Sequence, residues 1–409
     1  MAWRYYALDV LTKQFIHRDL PLQDVDITLT LNGPQTIRAS INPEWPDLFD
    51  SDGEPLLKEW SALILAEKDG VIRAGGILVN SDFEGSKWTL DIKGFTAYAQ
   101  GQILERTYAF KETGTSSDGV DPIAVVKWLW GNEGLGYFED ARLGVTFNSA
   151  TSDYRLGTWK YTTTETTKVK GKNVKKTVTK TQDINGVKVT KPSGTIVDAT
   201  YNLFSYDNID VGQKIDELAK QTPFDYQEFY GWANDAHSAI TMRFDFGSPR
   251  LGGKRAQLRF AEGENVSQVI AVKADGDGYA NSIRVIGSGE GKDQKAVTLG
   301  TRDGRLRRMV LHADQTLKTN ETLTSTGHAI LNTKNTFLDI TSVTLIDHPN
   351  APIGSFGVGD DIQVETHIGW QKVKLWVRIT SYSFSPDEGT VTLTTTRSDS
   401  FRYIPGGSE

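Results

Sequence analysis

Cysteine is missing from all 409 residues, which rules out disulfides and thiolate metal sites. Long apolar runs are missing too. Nowhere do about 18 apolar residues follow one another, so no spanning helix and no membrane insertion by this chain are expected. The opening residues, MAWRYYALDV, lack the charged region and apolar stretch of a secretory signal. Histidine is scarce: the six residues, His17, His237, His312, His328, His348 and His367, fall at no HExxH spacing and cluster with no carboxylates. There is no excess of positive charge either. A net charge of −7 argues against a general nucleic-acid binder, although it leaves room for a local basic patch.

What is abundant is alternation with period two, the mark of half-buried strands. Val25, Ile27, Leu29 and Leu31 alternate with Asp24, Asp26, Thr28 and Thr30; Asn32-Gly33-Pro34 turns the chain, and Ile37, Ala39 and Ile41 return. Further strands read at 61–67, 71–79 and 87–93, and others at 239–246, 256–260, 281–287 and 307–313. The last block holds strands at 337–346, 360–366, 372–384 and 390–396, separated by good turn sequences. Helices are few. Asp121-Pro122 opens one that ends at Gly131, Asp210 caps another reaching Gln221, and a third starts near Asn320 with Gly327 inside it. The fold class expected is mainly β with a mixed α+β middle. A chain of this length divides into two to four domains. The boundaries read are 1–105 (β), 106–235 (α+β), 236–336 (β-rich, α+β) and 337–409 (β).

The search for chemistry yields little. Asp275-Gly276-Asp277-Gly278 starts like a calcium loop, but Ile286 stands where the bidentate glutamate belongs. Gly287-Ser288-Gly289-Glu290-Gly291-Lys292 fits neither phosphate-loop spacing, and no helix comes after it, so it reads as a hairpin tip. No GxSxG elbow exists. Pairs such as Asp360-Asp361 and Glu262/Glu264 sit beside turns, where carboxylates serve local hydrogen bonds. No catalytic, metal or cofactor residue is assigned, no cofactor is expected, and the chain is read as not an enzyme. Ten tryptophans are spread over every region. Most suit core filling. Trp45, between Pro43 and Pro46, and Trp370, in a turn, are candidates to anchor an interface. A sugar-binding surface is a further reading of the same residues.

The basic run TTTETTKVKGKNVKKTVTK, residues 162–180, stands apart from the acidic background. Between Trp159 and Lys191 nine lysines face two carboxylates, a net +7. Its composition is threonine and valine, which favour strands, rather than the proline and serine of disorder. Lys170-Gly171-Lys172-Asn173 can turn, and Asn185-Gly186 is a strong hairpin signal. The expectation is a projecting β-hairpin, or a three-stranded meander, over about 158–192. Lys168, Lys170, Lys172, Lys175, Lys176 and Lys180 are its candidate contact residues. An acidic protein suits it better than DNA, because arginine and aromatics are absent after Tyr161 as far as Lys191.

Several stretches together resemble the minor tail proteins of long-tailed actinobacterial phages. They are WRYYALDVLT, LNGPQTIRASINPE, DGEPLLKEWSALILAEKDGVIRAGGIL and WTLDIKGF, then DPIAVVKWLWG and VGQKIDELAKQTPFDYQEFYGW. APIGSFGVGDDIQV, VRITSYSFSPDEGTVTLTTT and DSFRYIP close the series. Such proteins resemble the baseplate hubs of phage tails. The resemblance implies two tube-like β-barrel domains per subunit, here 1–105 and 337–409, in a homotrimer whose ring matches a sixfold tail tube. It implies a place at the virion's tail tip after assembly in the host cytoplasm. The implied neighbours are the distal tail protein, the tape measure protein and other minor tail proteins, with phage DNA passing through the channel. It hands over no catalytic residues, and with the last β-unit so near the end of this sequence no peptidoglycan-cleaving domain is expected. A carbohydrate-binding or receptor-recognition protein of the tail tip is the alternative.

Overall fold

The computed structural model describes residues 3–113, 118–169, 172–188, 191–272, 276, 278–315, 317, 319–334, 340–368, 371–386 and 389–398. Its largest feature is a 13-stranded sheet. On the N-terminal side, Gln23–Thr30, Thr36–Ile41, Lys87–Lys93, Val71–Glu84, Ala62–Lys68, Trp3–Asp9 and Phe15–His17 pair in that spatial order. The alternating residues do what the pattern demands. Tyr5 and Ala7 face one core while Tyr6 and Leu8 face another, because successive side chains leave a strand on opposite sides. Trp88, Ile27, Ile37 and Ile64 fill the first core, and Phe95, Leu63 and Leu65 the second.

The C-terminal side carries Val266–Val272, Ile340–Ile346, Thr390–Arg397 and Gln371–Phe384, with Asp361–Ile368 added beside the last. The two sides are one sheet. Ser381–Phe384 pairs antiparallel with Ile27–Thr30, and Thr28 Oγ1 lies 2.8 Å from Ser383 Oγ across the seam. The mainly β character with a mixed middle is therefore as expected, and the first and last β-units do lie side by side. Closed barrels do not form among the described residues, where the strand order is an open path from Val266–Val272 to Phe15–His17. The long strand Gln371–Phe384 serves both units: its first half pairs with Asp361–Ile368 and its last four residues with Ile27–Thr30.

Of the three α-helices among the described residues, two pack against this scaffold. Helix α1 (Pro122–Trp130) starts where Asp121 accepts the Ile123 N–H at 2.8 Å, with proline in the first turn. Helix α2 (Val211–Gln221) is capped by Asp210, which accepts from Gln213 N at 3.0 Å. Ile123, Val126, Leu129, Val211, Ile215 and Leu218 bury their apolar stripes with Phe224 and with Tyr226, Phe244 and Phe246 of the antiparallel pair Asp225–Trp232 and Ile240–Gly247. Helix α3 (Asn320–Lys334) covers a separate small sheet of Ser282–Ile286, Ala296–Gly300 and Met309–Ala313 through Leu323 and Leu331. Thr319, one residue earlier than the start read from sequence, accepts the Thr322 N–H at 3.2 Å and caps it. The segment 256–260, expected as a strand, is mostly turn. Only Phe260–Ala261 pairs, and Asn265 holds the bend by accepting from Ala261 N and donating to Arg259 O.

Candidate assembly surfaces

The basic segment forms a hairpin of two long strands, Thr158–Val169 and Lys172–Asp183, in register from Thr158↔Asp183 to Val169↔Lys172. At about 3.3 Å per residue, each strand is on the order of 40 Å long. Its base belongs to a four-stranded sheet: Thr195–Leu203 pairs with Thr158–Thr162, and Tyr108–Thr113 pairs beyond it. A small core of Trp159, Ile184, Ile196 and Ala199 anchors that end. Past Thr162 the ribbon has no further strand partner among the described residues. Register puts Thr162, Thr164, Thr166, Lys168, Lys175 and Asn173 on one face and Tyr161, Glu165, Lys176, Val174 and Lys180 on the other.

Lys168, Lys172, Lys175, Lys176 and Lys180 are all exposed. Lys180 ion-pairs Glu165 at 2.6 Å, and that hydrogen bond raises the lysine pKa. Lys170 lies outside the described residues. Among the described residues no third strand extends the hairpin into a meander. After Asn185-Gly186 the chain pairs Val187–Lys188 with Tyr154–Arg155 instead, while the Asn185 side chain accepts the Gly157 N–H at 2.7 Å. The turn signal was real, but it returns the chain to the base of the arm.

The tryptophans mostly fill cores: Trp88 and Trp159 are fully buried, and Trp3 stacks on Phe384 across the seam between the two β-units. Trp45 meets His17 edge-on at 5.2 Å, so it is committed to its own unit on at least one face. Trp370 lies outside the described residues, as does most of 273–278 with its Asp-Gly repeat. The Gly287–Lys292 run joins two antiparallel strands, as a hairpin tip should.

Buried acids mark the junction between units. Asp225 Oδ2 receives Arg378 Nη2 at 2.5 Å and the Leu251 N–H at 2.9 Å, and Asp225 Oδ1 receives Asn32 Nδ2 at 3.0 Å. Asp360 and Asp361, read as turn carboxylates, pair with Arg255 at 2.8 Å and Arg250 at 2.6 Å. Glu228 accepts the Gln35 N–H at 2.8 Å and the Thr96 N–H at 2.6 Å, and burial pushes its carboxyl up to about 7. Glu67 accepts from Tyr6 Oη at 3.0 Å and Trp232 Nε1 at 3.1 Å. Asp225, Glu228 and Glu67 thus each take two or more internal donors, as buried carboxylates in a scaffold do. Among the described residues no three His, Asp or Glu side chains converge to hold a metal. No helix there is long and apolar enough to cross a membrane.

No protein-family model matches the chain, and no curated protein does. Solved structures do match, over its whole length. The 43 kDa tail protein of prophage MuSo2 from Shewanella oneidensis aligns with 98% of this chain and 100% of its own, at 10% identity and a TM-score of 0.57. Prophage tail protein gp18 from Listeria monocytogenes aligns over 97% of this chain and 95% of its own, at 9% identity and a TM-score of 0.51. The fold is thus one found in prophage tail proteins. At such identity the likeness is of architecture, not of particular residues.

Proposed function

We propose that this chain is a structural subunit of a phage tail tip, a hub that assembles as a homotrimer. The observation that carries the reading is the seam between Ile27–Thr30 and Ser381–Phe384. It lays two β-units side by side in one subunit, so three subunits around an axis would offer six units to a sixfold tail tube. Closed cyclic rings are the common outcome of soluble self-association. The four segments 1–105, 106–235, 236–336 and 337–409 are its domains in this reading, with the first and last lining a channel for DNA. The partners proposed are the distal tail protein, the tape measure protein and other minor tail proteins. The role needs no catalytic group or cofactor.

The exposed hairpin is the attachment device. Its strands and turn, residues 158–183, carry +5 on a chain whose remainder carries −12. An isolated two-stranded ribbon is marginal alone, and its lysines discourage edge pairing, so it is best spent on an acidic neighbouring tail protein. Mass photometry of the purified chain tests the hub reading. A trimer, or a ring built from trimers, is the expected result. A monomer that persists at high micromolar concentration and on addition of tail-tube protein would overturn it.

A further inference from the structure

Three segments far apart in sequence bring large aromatic side chains to one side of the N-terminal unit. Trp60 sits in the turn before Ala62–Lys68, Tyr98 in the short helical turn Phe95–Ala99, and Tyr137 and Phe138 come after helix α1. Two pockets of about 350 and 320 Å³ open there and share Tyr98, Gln102 and Asp140 as a common wall. Trp60 stands at the end of the first, 6.3 Å from Tyr98 between ring centres. Tyr137 and Phe138 line the second, 5.1 Å apart.

Nothing in the fold asks for these rings to be outside. Trp60 is 49% exposed, Tyr137 46% and Phe138 50%, so about half of each large apolar side chain is left in water. Trp60 is also held at φ 60°, a left-handed conformation that a bulky residue adopts at a cost. Its N–H donates to Leu78 O at 2.7 Å, which fixes the turn and the ring's presentation. An exposed aromatic cluster presented at the expense of backbone strain is what a binding surface looks like.

We propose that this groove is a saccharide-binding subsite, with Trp60 and the face of Tyr137 opposite Arg106 as stacking platforms for the apolar faces of two sugar rings. Gln102, Asp140 and Glu105 supply the acceptors that sugar hydroxyls need. A nucleic acid fits worse, because Arg106, the one cation among the described residues lining the groove, already sits 4.3 Å above the Tyr137 ring, and Asp140 and Glu105 would repel phosphate. A proline-rich peptide fits worse too. Carboxylates only accept, and proline has no N–H to give them.

Calorimetry and saturation-transfer NMR on the full chain, with chitotetraose and cellotetraose as probes, test the proposal independently of any assembly. At least one probe is expected to bind saturably. Trp60→Ala and Tyr137→Ala, on separate loops, should each weaken binding about tenfold, the worth of one stacked aromatic. Tyr206→Ala removes an aromatic that is 71% exposed but does not line either pocket, and it should change nothing. Absence of binding by folded protein at millimolar sugar overturns the subsite. So does loss on Tyr206→Ala equal to that on Trp60→Ala, or a decaproline peptide binding where the sugars do not.

Discussion

Arg378 and Asp225 meet at 2.5 Å with side chains 0% and 1% exposed, although 153 residues separate them. The pair binds the C-terminal unit to the middle of the chain. The guanidinium also donates to Gly359 O and Leu251 O. Removing one partner strands a buried charge, which costs about 3–5 kcal/mol. Arg378→Ala and Asp225→Ala should each lower the urea midpoint strongly. Asp225→Asn combined with Arg378→Met should lower it less than either, a comparison read from tryptophan fluorescence.

Glu228 gives the molecule a pH signature. Burial raises its carboxyl from the usual 4.5 to about 7, against the Gln35 and Thr96 N–H groups that favour the ionised form. Tyr230, close enough to feel the Glu228 charge, is pushed up by the same burial and by Glu228 itself. Between about 4.5 and 7 the unfolded chain releases this proton while the folded chain keeps it. Stability from this group is therefore complete below about 4.5 and lost as pH rises to 7, by an amount on the order of 3 kcal/mol. The melting-temperature difference between wild type and Glu228→Gln should widen in favour of wild type as pH falls through that window. A difference flat in pH would contradict the buried-acid assignment.

Gly94 belongs to the same site. A Cβ there would lie 1.6 Å from Glu228 Oε2, with no room for the carboxylate to retreat while it holds both N–H groups. Gly94→Ala should destabilise by about 3 kcal/mol or more. Thermal denaturation checks this, and Gly357→Ala, where a Cβ meets nothing within 4 Å and φ is not positive, serves as the comparison for loss of glycine without a clash.

The arm should be separable from the fold. Its ion pair, Glu165–Lys180, is half exposed at both ends, so Glu165→Gln should change stability by less than about 1 kcal/mol. Deleting 163–178 leaves the pairing of Thr158–Thr162 with Thr195–Thr200 and the Trp159 core in place. The deletion should melt within about 2 °C of wild type yet fail to be retained by the partner tail protein in a pull-down. Unfolding on deletion, or steeply salt-dependent capture of duplex DNA by the intact chain, would contradict the arm's proposed use.

Much of this architecture is legible in the sequence wherever the cause is local. Alternation reveals the strands around Val25–Leu31 and Lys87–Lys93, and Asp121 and Asp210 announce their helices. The lysine hairpin can be read because threonine, valine and a turn leave few other conformations. What fails depends on distant partners. Asn185-Gly186 turns as it should, but only the nearby Tyr154–Arg155 strand decides which neighbour the chain then pairs with. The 256–260 stretch alternates like a strand but, among the described residues, gains no strand partner before Phe260. The seam that joins the two β-units, and the groove beneath Trp60, are assembled from segments whose spacing along the chain carries no signal.

Thr28 and Ser383 stand side by side, yet 355 residues separate them along the chain. At roughly 5–20 residues per second of synthesis, the Gln23–Thr30 strand leaves the ribosome about 20–70 s before its partner. Throughout that interval an unfinished edge is open to any other strand, including its twin on a neighbouring nascent chain. The order of synthesis thus makes the last β-unit the clasp of the first. Chains truncated before Gln371 should accumulate as edge-paired aggregates even though all of their own N-terminal core is present.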